Sequence, residues 1–152
     1  MYRGDDRTKG NWNEIDIEIV PSVTDHPFSM NIATLWHQGD QSYCEGFKPG
    51  TAWNEYVVEW TPHHVSWTVN GKLCRKNTDT KDVKLLREGQ SIIMDFWTPT
   101  KPLWGGGFND EGMPWYARYD YVKVEKWNEK TGQFEFHWRD DFDSFDETRW
   151  KA

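Results

Sequence analysis

The chain has 152 residues, enough for one domain that buries about two-thirds of its unfolded surface. Its 25 acidic and 18 basic residues give a formal charge of −7, which argues against nucleic acid, whose binding leans on basic contacts to phosphate. No run of 18 apolar residues occurs, so nothing reads as a membrane span, and the opening MYRGDDRTKGN has no apolar core of signal-peptide length.

Aromatic residues set the chain apart. Eleven Trp, eight Phe and six Tyr make 16% of it, while hydrophobic residues in total reach only 36%. Large rings must build much of the core, and rings left at a surface offer flat apolar faces beside polar edges, which suit sugars.

Period-2 alternation recurs along the chain, and no stretch holds a 3.6 period over eleven residues. WNEIDIEI (12–19) alternates first, followed by WNEYVVEW (53–60) and VSWTVNGKLCRK (65–76). Within the last, Asn70-Gly71 separates two strand-like runs and predicts a two-residue hairpin turn. DVKLLREG (82–89) is the single helix candidate. SIIMDFW (91–97), ARYDYVKVEKW (117–127) and QFEFHW (133–138) complete the strand set. Clusters such as KPGTA, TPTKPLWGGG and NDEGMP punctuate them. Short strands with turns between them predict an all-β sandwich or jelly roll, with residues 1–152 in one domain.

Cys44 and Cys74 have no metal-site spacing and no CxxC pattern, so they are either a disulfide or two free thiols. His26, His37, His63, His64 and His137 form no HExxH pattern, and the glycines at 105–107 precede no phosphate-binding lysine. A catalytic metal or a nucleotide is not indicated.

The first strand carries the chemistry. Alternate residues share a strand face, so Trp12, Glu14, Asp16 and Glu18 point one way and Ile15, Ile17 and Ile19 the other. The isoleucines predict packing on a core. An interior strand with an acidic row on its other face then calls for an open, wet cleft. Like charges about 7 Å apart raise one another's proton affinity. Retaining glycosidases need that split, one carboxylate ionised to attack and one protonated for the leaving oxygen. Against this, residues four apart on a strand lie about 13 Å apart in the backbone. Retaining pairs sit about 5–5.5 Å apart, so Glu14 and Glu18 would have to lean together over Asp16. Two other readings fit the same spacing: a solvated acidic strand, and a calcium site of clustered carboxylates.

WNEIDIE resembles the active-site strand E-x-D-x-E of glycoside hydrolase family 16, in the unbulged form of the bacterial endo-1,3-1,4-β-glucanases (lichenases). VEWTPHHVSWTVNGKLCRK (58–76), MDFWTPTKPLWGGGF (94–108) and YDYVKVEKW (119–127) are similar to further segments of that family. The resemblance implies a concanavalin A-like jelly-roll β-sandwich. FHWRDDFDSFDETRW (136–150) resembles a segment that ordinarily opens such a domain. Here it follows the segment that ordinarily closes one, across the connection NEKTGQ, as in a circularly permuted lichenase. The strands present are then too few for the whole sandwich. The expectation is a second polypeptide that supplies the rest.

By this resemblance Glu14 is the nucleophile, Glu18 the general acid and base, and Asp16 the group between them. Trp12, Trp97 and Trp104 would stack on glucose rings or wall the cleft, with an inward core position as the lesser alternative for Trp97. Asn31 matches a polar contact near the scissile sugar, and Tyr2 belongs to the cleft floor. Asp95 stands where lichenases have Asn, and Ile93 where the permuted form has Arg, which leaves the sugar specificity open. Asp120 and Asp141 match positions near a structural calcium, and the chemistry itself needs no cofactor. The implied activity is retaining endo-hydrolysis of mixed-linkage β-1,3-1,4-glucan by a secreted enzyme. Rival readings are a β-1,3-glucan, xyloglucan or exopolysaccharide enzyme on the same scaffold, and a silent lectin-like sugar-binding domain.

Overall fold

The computed structural model describes residues 13–19, 28–34, 42–44, 46, 51–78, 80–86, 89–97 and 110–151. The chain forms two compact units, residues 1–110 and 111–152. Among the described residues its regular structure is nearly all strand, with one six-residue helix, as the alternation predicts.

In the first unit, β1 (Asn13–Ile19), β2 (Phe28–Thr34) and β3 (Ser42–Tyr43) form one antiparallel sheet in that order. β4 (Tyr56–Trp60), β5 (Val65–Val69) and β6 (Lys72–Asn77) form a second. Thr61 makes the first turn of this second sheet. Its hydroxyl accepts the His63 and His64 backbone N–H groups at 3.2 and 3.1 Å, and its own N–H donates to the His64 carbonyl. The second turn is Asn70-Gly71, with φ of 50° and 76°, the pair of left-handed residues that a type I′ hairpin requires. Asn70 also accepts the Glu55 backbone N–H at 2.9 Å, which pins the turn to the start of β4.

The core of this unit is built on β5. Val65, Trp67 and Val69 alternate on one face and pack with Cys44 and Leu86. Ile15 and Ile17 of β1 close on this cluster, so the isoleucine face does meet a core, while Ile19 at the strand end stays exposed. Cys44 and Cys74 form a disulfide, which resolves the alternative that spacing left open. It ties the end of β3 to β6 across 30 residues, a loop whose closure contributes about 3–4 kcal/mol. Cys74 is the extra residue of a bulge, since Trp67 pairs with Arg75 and Thr68 with Leu73.

The helix α1 runs Thr80–Leu85 rather than 82–89. The Leu86 N–H bonds back three residues to the Val83 carbonyl, and that tighter turn ends the helix early. Val83 and Leu86, three apart, are its buried side chains. Residues 91–97 are not a strand despite their alternation, and 53–55 and 117–121 also lie outside the ladders. A strand exists only where a neighbour pairs with it, and alternation alone supplies none. Conversely β2 and β3 are strands that the sequence reading passed over.

In the second unit, β7 (Val122–Asn128) and β8 (Gln133–Asp140) form an antiparallel hairpin. The connection NEKTGQ is its turn. Asn128 Oδ1 accepts the Lys130 and Thr131 N–H groups, and Gly132, at φ 65°, returns its N–H to the Asn128 carbonyl. Rings hold the hairpin and the segment after it. Trp127 packs edge-on to Phe134 at 5.1 Å, and Trp150 sits between Trp138 and Phe142 while donating to Asp140 Oδ2 at 2.7 Å.

Candidate active site

The candidate site is the acidic face of β1. Every residue of β1 pairs with β2, and this register places Ala33 opposite Glu14, Asn31 opposite Asp16 and Ser29 opposite Glu18. None of those three is charged. Asn31 thus stands in register with the middle acid of the row.

The expected open cleft is not what surrounds these acids. Glu14 is 6% exposed and Asp16 only 3%, while Glu18 is half-buried. The isoleucine face is, if anything, the less covered of the two. Burial makes the charged form costly, and the acids respond by holding protons more tightly. Asp16 is pushed up to about 7, first by burial and then by the charges of Glu14, Glu18 and Asp95. Glu18 is raised as well, again by burial first, then by Glu14, with Asp95 contributing. Asp16 Oδ1 is buried with no hydrogen-bond partner among the described residues.

Two contacts hold β1 from the side of the core. The Trp67 indole N–H donates to the Asp16 main-chain carbonyl at 3.1 Å, in a fully buried position. Gln90 donates to Asn13 Oδ1 at 2.6 Å, which ties residues 89–97 to the first residue of the strand. Asp95 in that segment adds its charge to both Asp16 and Glu18, so it belongs to the electrostatic surroundings of the row. Neither Trp67 nor Gln90 was singled out by the sequence reading. The signal for Trp67 was its place on the inward face of VSWTV, where a ring with one N–H needs one acceptor.

The other expected site residues are distributed as follows. Trp97 is 50% exposed, outside any ladder, so the inward core position considered for it is not adopted. Tyr2, Trp12 and Trp104 lie outside the described residues. Asp141 is exposed and is engaged by the Arg139 guanidinium at 2.8 Å, which holds its carboxyl below the usual carboxylate range. Asp120 lies in the field of the same arginine, which also stacks on Tyr121 with Cζ 3.8 Å from the ring centre. The positive charge at this point comes from the chain itself. No group of three metal-ligating acids, histidines or cysteines forms among the described residues.

Three carboxylates therefore share one strand face, and two of them have raised proton affinity. The family model for glycosyl hydrolases family 16 matches residues 2–140, and the chain belongs to that family. It is 33% identical over 147 residues to a beta-glucanase of Fibrobacter succinogenes, covering 91% of this chain and 42% of that protein. A beta-glucanase of Paenibacillus polymyxa is 32% identical over 114 residues, 74% of this chain and 45% of that protein. One from Bacillus amyloliquefaciens is 30% identical over 117 residues, 76% and 46%. The chain thus spans less than half the length of these relatives.

The raised proton affinity of Asp16 has a consequence for stability. Between the ordinary value of 3.8 and about 7, the folded chain holds a proton on Asp16 that the unfolded chain has released. The stability associated with this group is therefore complete below about pH 4 and is lost as pH rises to about 7. Asp16→Asn should raise the thermal midpoint by roughly 5 °C or more at pH 8. The gain should shrink toward zero at pH 4, as followed by circular dichroism melts across that range. Destabilisation at pH 8 would show that the carboxylate is held by donors.

Proposed function

We propose that this chain carries the catalytic strand of a retaining endo-β-glucanase acting on mixed-linkage β-1,3-1,4-glucan. The observation that carries the reading is the buried acidic row of β1, with Asp16 and Glu18 both shifted toward the protonated form. The names of the relatives, beta-glucanases, support the substrate class.

In the first half of the reaction an ionised Glu14 attacks the anomeric carbon and forms a glycosyl ester. Glu18 gives its proton to the departing glycosidic oxygen as that bond breaks. In the second half Glu18 takes a proton from water, whose oxygen attacks the same carbon and releases Glu14. Burial and the neighbouring Glu14 charge raise the proton affinity of Glu18, which favours the acid form needed in the first step. Asp16 between them, held as the acid, can donate toward the nucleophile without adding a third charge. Trp97, Trp12 and Trp104 stack on sugar rings, Asn31 and Tyr2 supply polar contacts, and Asp95 tunes the field. Secretion accords with the Cys44–Cys74 disulfide, a bond of oxidising compartments.

The segment order is that of a circularly permuted family 16 domain. The Fibrobacter match covers 91% of the chain against 74% and 76% for the other two. The family model ends at 140, inside the segment 136–150 that resembles a domain opening. The join between the two is a tight hairpin between antiparallel neighbours, a physically mild place to reconnect a chain.

Glu14→Gln should lower reducing-sugar release from barley β-glucan to below about one percent of wild type with the fold retained, since the nucleophile is lost. The wild-type protein should release sugar from barley β-glucan and not from laminarin or xyloglucan. Release from laminarin alone would instead assign β-1,3-glucan, and binding without release would assign a lectin-like role.

A polypeptide carrying the remaining family 16 strands completes the sandwich. Two-stranded hairpins are marginal alone, and Phe136, Phe145, Trp115 and Tyr116 of the second unit are exposed apolar surface. Protein isolated from its natural source should therefore show a mass above that of 152 residues, or a second family 16 polypeptide beside it. A lone 152-residue monomer with one cooperative unfolding transition would contradict this.

A further inference from the structure

We infer that Trp67 is a positioning residue for the acidic row, acting through the main chain of Asp16. This rests on the reading of β1 as the catalytic strand. The indole N–H meets the Asp16 carbonyl at 3.1 Å, 51 residues away in sequence, with no water-exposed surface on Trp67. Asp16 is the middle acid of the three, so a contact at its carbonyl, added to the β1–β2 ladder, bears on both neighbours. Its own Oδ1 makes no hydrogen bond among the described residues. That oxygen is therefore placed by its backbone and by packing, and the backbone is what Trp67 holds.

The ring is well immobilised for such a role. It lies in the centre of the core cluster between Val65 and Val69 on β5, with the Arg75 guanidinium 5.3 Å from its centre. A bulge falls immediately after it, between Trp67 and Thr68, and bulges re-aim the side chains beside them. The extra residue of that bulge, Cys74, is covalently tied to Cys44. Sheet, bulge and disulfide together set where the N–H points. A tryptophan present only as filler would need an acceptor too, but any nearby carbonyl would serve, and stability alone would register its loss.

The test is Trp67→Phe in the active enzyme, beside an enzyme with benzothienylalanine placed at position 67, which keeps the ring shape and replaces the N–H by sulfur. Glu14→Gln is the control for the underlying reading. For both position-67 variants kcat on barley β-glucan should fall about tenfold or more while KM stays within about twofold, because small displacements of reacting groups are costly. The basic limb of the pH–rate profile should move as well. If Trp67→Phe fails to fold, the isostere decides. Wild-type kcat and pH profile with a lowered thermal midpoint would show that Trp67 is only core and overturn the proposal. Activity retained in Glu14→Gln would overturn the catalytic reading instead.

Discussion

Burying a row of carboxylates is the constraint on which the rest of this structure turns. Glu14 and Asp16 are less exposed than the isoleucines that alternate with them. In a low-dielectric site the charged form is costly, and the proton affinities of Asp16 and Glu18 are raised, which separates them from ordinary carboxylates. Acid–base chemistry at one sugar bond needs that separation. The fold supplies it by packing one side of β1 on the β5 core, covering the other, and fixing the middle of the strand to Trp67.

Much of this was legible in the sequence. WNEIDIEI announced both faces of β1, and Asn70-Gly71 announced its hairpin, because alternation and left-handed turn residues are local signals. What covers a face is not local. The same alternation that placed Ile15 and Ile17 on the core suggested an open acidic face, yet Glu14 and Asp16 are buried. SIIMDFW shows the same limit. Its pattern is that of a strand, but pairing needs a neighbour, and the segment lies outside the ladders, linked to β1 by the Gln90–Asn13 bond. The disulfide was undecidable from two cysteines 30 residues apart, since only the approach of β3 to β6 brings them together. The Arg139 pairing with Asp141 was equally hidden, as nothing in the spacing of the two told which partner the acid would take.

The second unit is built on a single antiparallel hairpin. β7 and β8 are antiparallel neighbours joined by a four-residue turn whose Asn128 and Gly132 satisfy its backbone. Joining neighbouring strands this way leaves their ladder intact. The rings that follow, Phe142 and Trp150, fold back on Trp138 and anchor the segment.

The central claim is that Glu14 is the group that bonds to sugar. A mechanism-based 2-deoxy-2-fluoro β-glucan oligosaccharide, which forms the glycosyl ester but releases it slowly, tests this directly by fragment-ion mass spectrometry. The account predicts one glycosyl adduct per chain, on Glu14. An adduct on Asp16 or Glu18, or none on an enzyme that turns over the parent substrate, would contradict it.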